Sequence, residues 1–150
     1  LEEEQEIWPN DGTYERINAQ ELQDFITAGE LVVAQNTDGE ILGCIRIYQY
    51  EGLWYYGVLA TFPAHRSKGI GSQLVNFAET YVKQQGANHI YIELLQGEGF
   101  DMPNKVGMRQ WYGQKGYTYV ANTTFEAKDP RKLKIMQKPC CFEIMRKPLN

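Results

Sequence analysis

Phe62-Pro63-Ala64-His65-Arg66-Ser67-Lys68-Gly69-Ile70-Gly71-Ser72-Gln73-Leu74 is the stretch on which the fold of this 150-residue chain turns. An apolar run over residues 53–62 enters it and reads as a strand. A helical pattern leaves it, placing Leu74, Phe77, Ala78, Tyr81 and Val82 on one face. A strand, a Gly-rich turn and a helix start together present backbone N–H groups to a phosphate. Gly69 and Gly71 lack the Cβ atoms that would block a close ligand, and Arg66 and Lys68 add positive charge at the positive end of the helix dipole. The local physics predicts a pyrophosphate cradle. A P-loop is excluded, because Gly, four residues and Gly-Lys-Ser/Thr do not occur in that order. A dinucleotide fingerprint is excluded too, because Leu74 stands where its third glycine belongs.

What does fit is Arg-x-x-Gly-x-Gly, from Arg66 through Gly69 to Gly71. A tight turn with a glycine at each kink would leave the same six residues, so a second signature matters. It lies at Met108-Arg109-Gln110-Trp111-Tyr112-Gly113-Gln114-Lys115-Gly116-Tyr117: an aromatic-Tyr pair, three residues, then Gly-Tyr. Gly116 suits the left-handed residue that stops a helix, and residues 117–120 read as a strand. In this order the two motifs resemble the GNAT superfamily of acetyl-CoA-dependent N-acetyltransferases. The resemblance covers residues 31–147; residues 1–30 are short and polar for the strand and helices that normally open that fold.

Composition suits one globular domain over residues 1–150, with residues 1–30 atypical and a trimmed N-terminus expected from the start at Leu1. Hydrophobic residues make up 43% of the chain and aromatics 13%, which argues against disorder. No apolar run has the length of a membrane span, and no signal peptide is visible. Cys44, Cys140 and Cys141 are odd in number and lack ligand spacing; adjacent strand residues such as Cys140 and Cys141 are poor disulfide partners. They read as reduced thiols of a cytoplasmic protein, and with His65 and His89 the only histidines no metal site is expected. Residues 1–100 carry 5 Lys/Arg against 15 Asp/Glu, whereas residues 101–150 carry 10 against 4. The basic segment 128–138 lacks a recognition helix or stacking motif, so nucleic acid is not the expected partner; it reads as a solvated face or a border of the cofactor's adenosine 3′-phosphate. The acidic first two-thirds favours a cationic acceptor such as an amine.

Along the chain, Asn18-Ala19-Gln20-Glu21 resembles a capping box, and a short helix follows it to Gly29. Strands are expected over 31–35, 40–50 and 53–62, with Asn36-Thr37-Asp38-Gly39 as a hairpin turn between the first two. A helix to Gln85 and a strand over 89–95 complete a βαβ crossover. A loop over 96–104, a helix to Lys115, a strand from Tyr117 and a last strand over 140–146 follow. The expected class is α/β: a GNAT-type mixed, mostly antiparallel central sheet flanked by helices, with a βαβ acyl-CoA-binding core.

The resemblance implies the chemistry. Acetyl-CoA is the co-substrate, its pyrophosphate held by Arg66, Ser67, Lys68, Gly69, Gly71 and Ser72, its pantetheine arm pairing with backbone near Leu59 and Thr61. The family's pantetheine-contacting Asn falls at Lys105; either the loop shifts by one and Asn104 takes the role, or the contact is missing. An acceptor amine attacks directly, in a ternary complex, and Tyr112 protonates the departing thiolate. Glu93 is the first candidate for the base, with Glu98 and Glu51 as alternatives, and for each a solvated surface acid is the competing reading. Cys44 has no His implied beside it and is not a nucleophile on this reading. The acceptor is a small molecule or a protein amino group, and the family suggests a homodimer. A non-catalytic acyl-CoA sensor or interaction module is the other reading; Tyr112 favours the enzyme.

Overall fold

The computed structural model describes residues 19–65, 68–97, 103–124 and 140–150. In chain order its elements are α1 (Ala19–Thr27), β1 (Leu31–Gln35), β2 (Ile41–Tyr50), β3 (Leu53–Thr61), a single 3₁₀ turn (Pro63–His65), α2 (Ile70–Gln84), β4 (His89–Gly97), α3 (Pro103–Gln114), β5 (Thr118–Thr124) and β6 (Cys140–Pro148). The strands are hydrogen-bonded in the order β1-β2-β3-β4-β6-β5. The pairs β1–β2, β2–β3 and β5–β6 are antiparallel, and β3–β4 is parallel through Tyr55 and Tyr91. This is the expected mixed, mostly antiparallel sheet with flanking helices. The described residues divide into two compact units: 18–92 with 148–150, and 93–147.

In the unit from α1 to the start of β4, the sequence pattern and the burial agree closely. The β1–β2 turn is built by Asn36, whose Oδ1 accepts the N–H groups of Asp38 and Glu40 while Gly39 takes φ +85°. This is the side-chain mimicry of a backbone turn at which Asn excels. Along β2, Gly43, Ile45 and Ile47 are buried and alternate with half-exposed Cys44, Arg46 and Tyr48. α2 packs on β2 and β3. Its buried residues are Ile70, Leu74, Val75, Ala78 and Val82. The expected face therefore needs one correction. Phe77 and Tyr81 lie on its flank, 49% and 37% exposed, stacked on each other, with Tyr81 also edge-on to Trp54. The sheet under α2 is already filled by Tyr56, Ile45, Ile90 and Ile92, and the face is narrower than the apolar pattern suggests.

The expected helix ends hold. α2 closes with Gly86 N–H bonded to Lys83 C=O and Ala87 N–H to Val82 C=O. α3 closes in the same way at Gly116, where φ is +98°. There Tyr117 N–H bonds to Tyr112 C=O, and the two rings meet edge-on at 5.7 Å, the apolar contact that accompanies this motif.

In the unit 93–147, the loop expected over 96–104 is shorter. β4 runs on to Gly97, and Pro103 opens α3, a position where its missing N–H costs nothing. Asn104 therefore sits in the first turn of a helix, and not in a loop. β6 alternates buried Cys141, Glu143 and Met145 with half-exposed Phe142 and Ile144. The buried Glu143 carboxylate is matched by Arg109 of α3 at 2.8 Å.

Candidate cofactor-binding site

The βα junction after β3 gathers most of the residues expected to hold a cofactor. β3 ends at Thr61, whose partner across the sheet is Gly43. Phe62 N–H makes one more bond to Leu42 C=O, and the 3₁₀ turn follows, closed by His65 N–H on Phe62 C=O. Arg66 and Ser67 lie outside the described residues. Lys68 is exposed, and Gly69 precedes α2 in the left-handed conformation, φ +79° and ψ +9°. Only glycine takes that conformation without strain.

The first bond of the helical ladder runs from Gln73 N–H to Gly69 C=O, so the backbone N–H groups of Ile70 and Gly71 stand ahead of that ladder. Gly69 supplies no side-chain cap. First-turn backbone donors, the positive end of a 15-residue helix and the Lys68 charge lie together at one turn. A Cβ added at Gly69 would meet nothing within 4 Å, and one at Gly71 only Thr61 Oγ1 at 4.0 Å. Gly71 is helical, and among the described residues no neighbour crowds it, so their packing does not call for a glycine there. A glycine inside a helix turn costs about 0.5–1 kcal/mol relative to Ala. A ligand brought close to the backbone explains why it stands there, and an anion fits the donors that face it.

Three features here were not found from sequence. The first is a β-bulge. Cys44 pairs with Ala60 and Arg46 with Gly57, so the single residue Ile45 faces both Val58 and Leu59. Val58 takes φ +53°, a conformation that costs a β-branched residue on the order of 1–3 kcal/mol. The expected pantetheine contact Leu59 thus lies on an irregular stretch of backbone, where the ladder register shifts. Second, the Cys44 thiol donates to Val58 C=O at 3.6 Å, and burial pushes its pKa up, so it is held as S–H and not as a nucleophilic thiolate. Third, Gly43 is the reason that β2 and the β3–α2 junction approach so closely. A Cβ there would stand 2.5 Å from Ala60 O and 3.3 Å from Ile70 Cγ2. A lone glycine in an apolar strand was the available signal.

Of the remaining expected residues, Glu51 lies in the same unit, in the turn between β2 and β3 at φ +50°, and Glu93 and Tyr112 belong to the other unit. Glu93 follows the buried Ile92 on β4 and is half-buried. Tyr112 is 5% exposed, packed edge-on against Trp111 at 4.9 Å and against Tyr117. Glu98 lies outside the described residues. Among the described residues, no group of three or more His, Cys, Asp or Glu could hold a metal ion, and no helix is long and apolar enough to cross a membrane.

A sheet with a βαβ unit and an uncapped, Gly-lined helix start after its parallel strand defines an acyl-CoA-type transferase scaffold. The chain belongs to the acetyltransferase (GNAT) family, whose model matches residues 1–98. The match takes in the first thirty residues, outside the resemblance drawn from motifs, and stops short of Tyr112. Among solved structures, the chain is similar to an aminoglycoside 6′-N-acetyltransferase complexed with coenzyme A, at 18% identity and TM-score 0.66, over 91% of this chain and 82% of that one. A GNAT family acetyltransferase from Elizabethkingia anophelis with acetyl-CoA bound is similar at 18% identity and TM-score 0.65, over 93% and 94% of the two chains. A Bacillus anthracis protein assigned as a streptothricin acetyltransferase, in complex with acetyl coenzyme A, is similar at 15% identity and TM-score 0.60; 80% of this chain is covered, and it spans 62% of that protein's length. No curated protein matches by sequence.

Proposed function

We propose that this protein is an N-acetyltransferase that moves an acetyl group from acetyl-CoA to a primary amine by direct attack in a ternary complex. The observation that carries the reading is Gly71: a glycine in the first turn of α2, whose added Cβ would meet among the described residues only Thr61 Oγ1 at 4.0 Å, directly after the left-handed Gly69. The backbone of Gly69, Ile70, Gly71 and Ser72, with Lys68, would hold the pyrophosphate of the co-substrate; Arg66 and Ser67 complete the motif in sequence. The irregular backbone at Val58 and Leu59 is where main-chain groups would meet the pantetheine arm and the thioester carbonyl.

In the reaction, the neutral amine nitrogen bonds to the acetyl carbon, the C–S bond breaks, and the ammonium proton must leave while the thiolate gains one. Glu93 is the proposed base and Tyr112 the proposed acid. The Tyr112 ring is anchored by Trp111 and Tyr117, which suits a hydroxyl that must be held in place. The family membership and the coenzyme A complexes of similar folds support acetyl-CoA as co-substrate. The acidic balance of residues 1–100 supports a cationic acceptor, and Asn104 remains the proposed pantetheine contact.

The test is isothermal titration with acetyl-CoA, with dephospho-CoA and NAD as controls, followed by an amine panel with free-thiol detection. Saturable acetyl-CoA binding and amine-dependent thiol release are expected. Binding with no thiol release from any amine would shift the reading to an acyl-CoA sensor, and no binding by the folded protein would remove both.

A further inference from the structure

The 3₁₀ turn that leads into the Gly-rich loop is tied to a distant element by one side chain. His65 Nε2 lies 2.8 Å from Glu40 Oε1, across 25 residues of sequence. Glu40 follows the β1–β2 turn, and that turn is a firm base. Asn36 Oδ1 accepts Glu40 N–H at 2.9 Å, Asn36 N–H donates to Glu40 C=O at 3.0 Å, and Asn36 Nδ2 donates to Glu40 Oε2 at 3.3 Å. The His65 side chain is only 16% exposed, whereas that of Glu40 is 58% exposed. The imidazole is the more covered partner and the carboxylate the more exposed one. Among the described residues 62–65, 68 and 69, Phe62 makes the last backbone bond to β2, and the next side-chain hydrogen bond to another strand or turn is that of His65.

We propose that Glu40 and His65 are positioning residues for the cofactor cradle, the carboxylate holding the imidazole so that the 62–65 turn delivers the loop to the start of α2 in register for the pyrophosphate. This rests on the acetyl-CoA reading above. A carboxylate close to an anion-binding loop would otherwise oppose binding, and the Lys68 charge, one of the cradle's own, adds a little to holding the Glu40 carboxyl low. Its place is explained if the hydrogen bond to His65 outweighs that repulsion. The two effects have opposite signs, so one experiment separates them.

Acetyl-CoA is titrated into the wild type, Glu40→Ala, His65→Ala, the double variant and His65→Gln, with thermal unfolding recorded for each. Each single alanine variant is expected to weaken binding about threefold to tenfold, the range of an ordinary net hydrogen bond, because the Glu40 carboxylate is solvent-exposed. The double variant is expected to lose no more than either single one, because the two residues act as one contact. His65→Gln keeps a donor N–H near the Nε2 position and is expected within about twofold of the wild type. The Tm is expected to stay within about 2 °C, since a pair whose carboxylate is exposed contributes little to stability. Unchanged or tighter binding by Glu40→Ala overturns the proposal, as do losses that multiply in the double variant or a His65→Gln loss equal to that of His65→Ala. Absence of binding by the wild type removes the acetyl-CoA reading itself, an outcome distinct from all of these.

Discussion

Replacing Gly71 by Asp should make the protein more stable and disable it at the same time. The added Cβ meets only Thr61 Oγ1 at 4.0 Å, an ordinary contact, and the backbone at this position is helical. Removing a glycine from a helix turn contributes about 0.5–1 kcal/mol, and an acidic side chain in the first turn adds about 0.3–1 kcal/mol through the helix dipole. The sum, about 1 kcal/mol, corresponds to a Tm rise of about 2–4 °C for a chain of this size. The same carboxylate would sit among the N–H donors of Ile70, Gly71 and Ser72. At about 5 Å and an effective dielectric of about 20, it repels each phosphate charge by about 3 kcal/mol, roughly a hundredfold in affinity per charge. Differential scanning calorimetry and acetyl-CoA titration of the same preparation read both quantities. A raised Tm with binding lost is expected. A raised Tm with unchanged binding would falsify the ligand explanation of Gly71, and a Tm lowered by several degrees would show that the space over Gly71 is occupied by the protein itself.

Tyr112→Phe keeps the ring contacts with Trp111 and Tyr117, so Tm and acetyl-CoA affinity should hold while kcat falls about tenfold to a hundredfold; parallel loss of affinity and kcat would make Tyr112 structural. Gly43→Ala places a methyl 2.5 Å from Ala60 O, and calorimetry should show destabilisation by about 1–3 kcal/mol, with acetyl-CoA binding weakened because the β3–α2 junction must shift; an unchanged Tm would mean that this close approach is not needed. The Glu40 carboxyl is held below its ordinary range, first by the hydrogen bond from His65 and then by its charge, with Asn36 and Lys68 adding to this. A lowered folded-state pKa stabilises above the unfolded value and is lost as pH falls through the folded one. The Tm difference between wild type and Glu40→Gln should therefore be present above the ordinary carboxylate range and fade below about pH 4; a difference that grows as pH falls below that range would contradict the assignment.

Local chemistry was readable residue by residue. The β1–β2 turn follows from Asn36 and Gly39, the helix ends from Gly86 and Gly116, and the cradle from the spacing of Gly69 and Gly71, because each depends on neighbours only a few positions away. Among the described residues the order of strands and helices follows from the same punctuation; the segment after β4 differs, because Pro103 opens a helix that begins before Asn104. What the linear pattern could not reveal depends on residues that meet across the sheet. The apolar positions Phe77 and Tyr81 looked like core, yet the space under α2 was already taken by Tyr56, Ile45 and Ile92 from three strands. The bulge that turns Val58 to positive φ arises from register, since two residues of β3 must face the one residue Ile45 of β2, and no side-chain pattern in either strand announces it. Gly43 is decided by a carbonyl seventeen residues away, and the hold of Glu40 on His65 by a turn that folds back over the loop. Short-range hydrogen-bonding and conformational preference are properties of the sequence itself. Close approach, register and the meeting of charges exist only once the chain has been brought together in three dimensions.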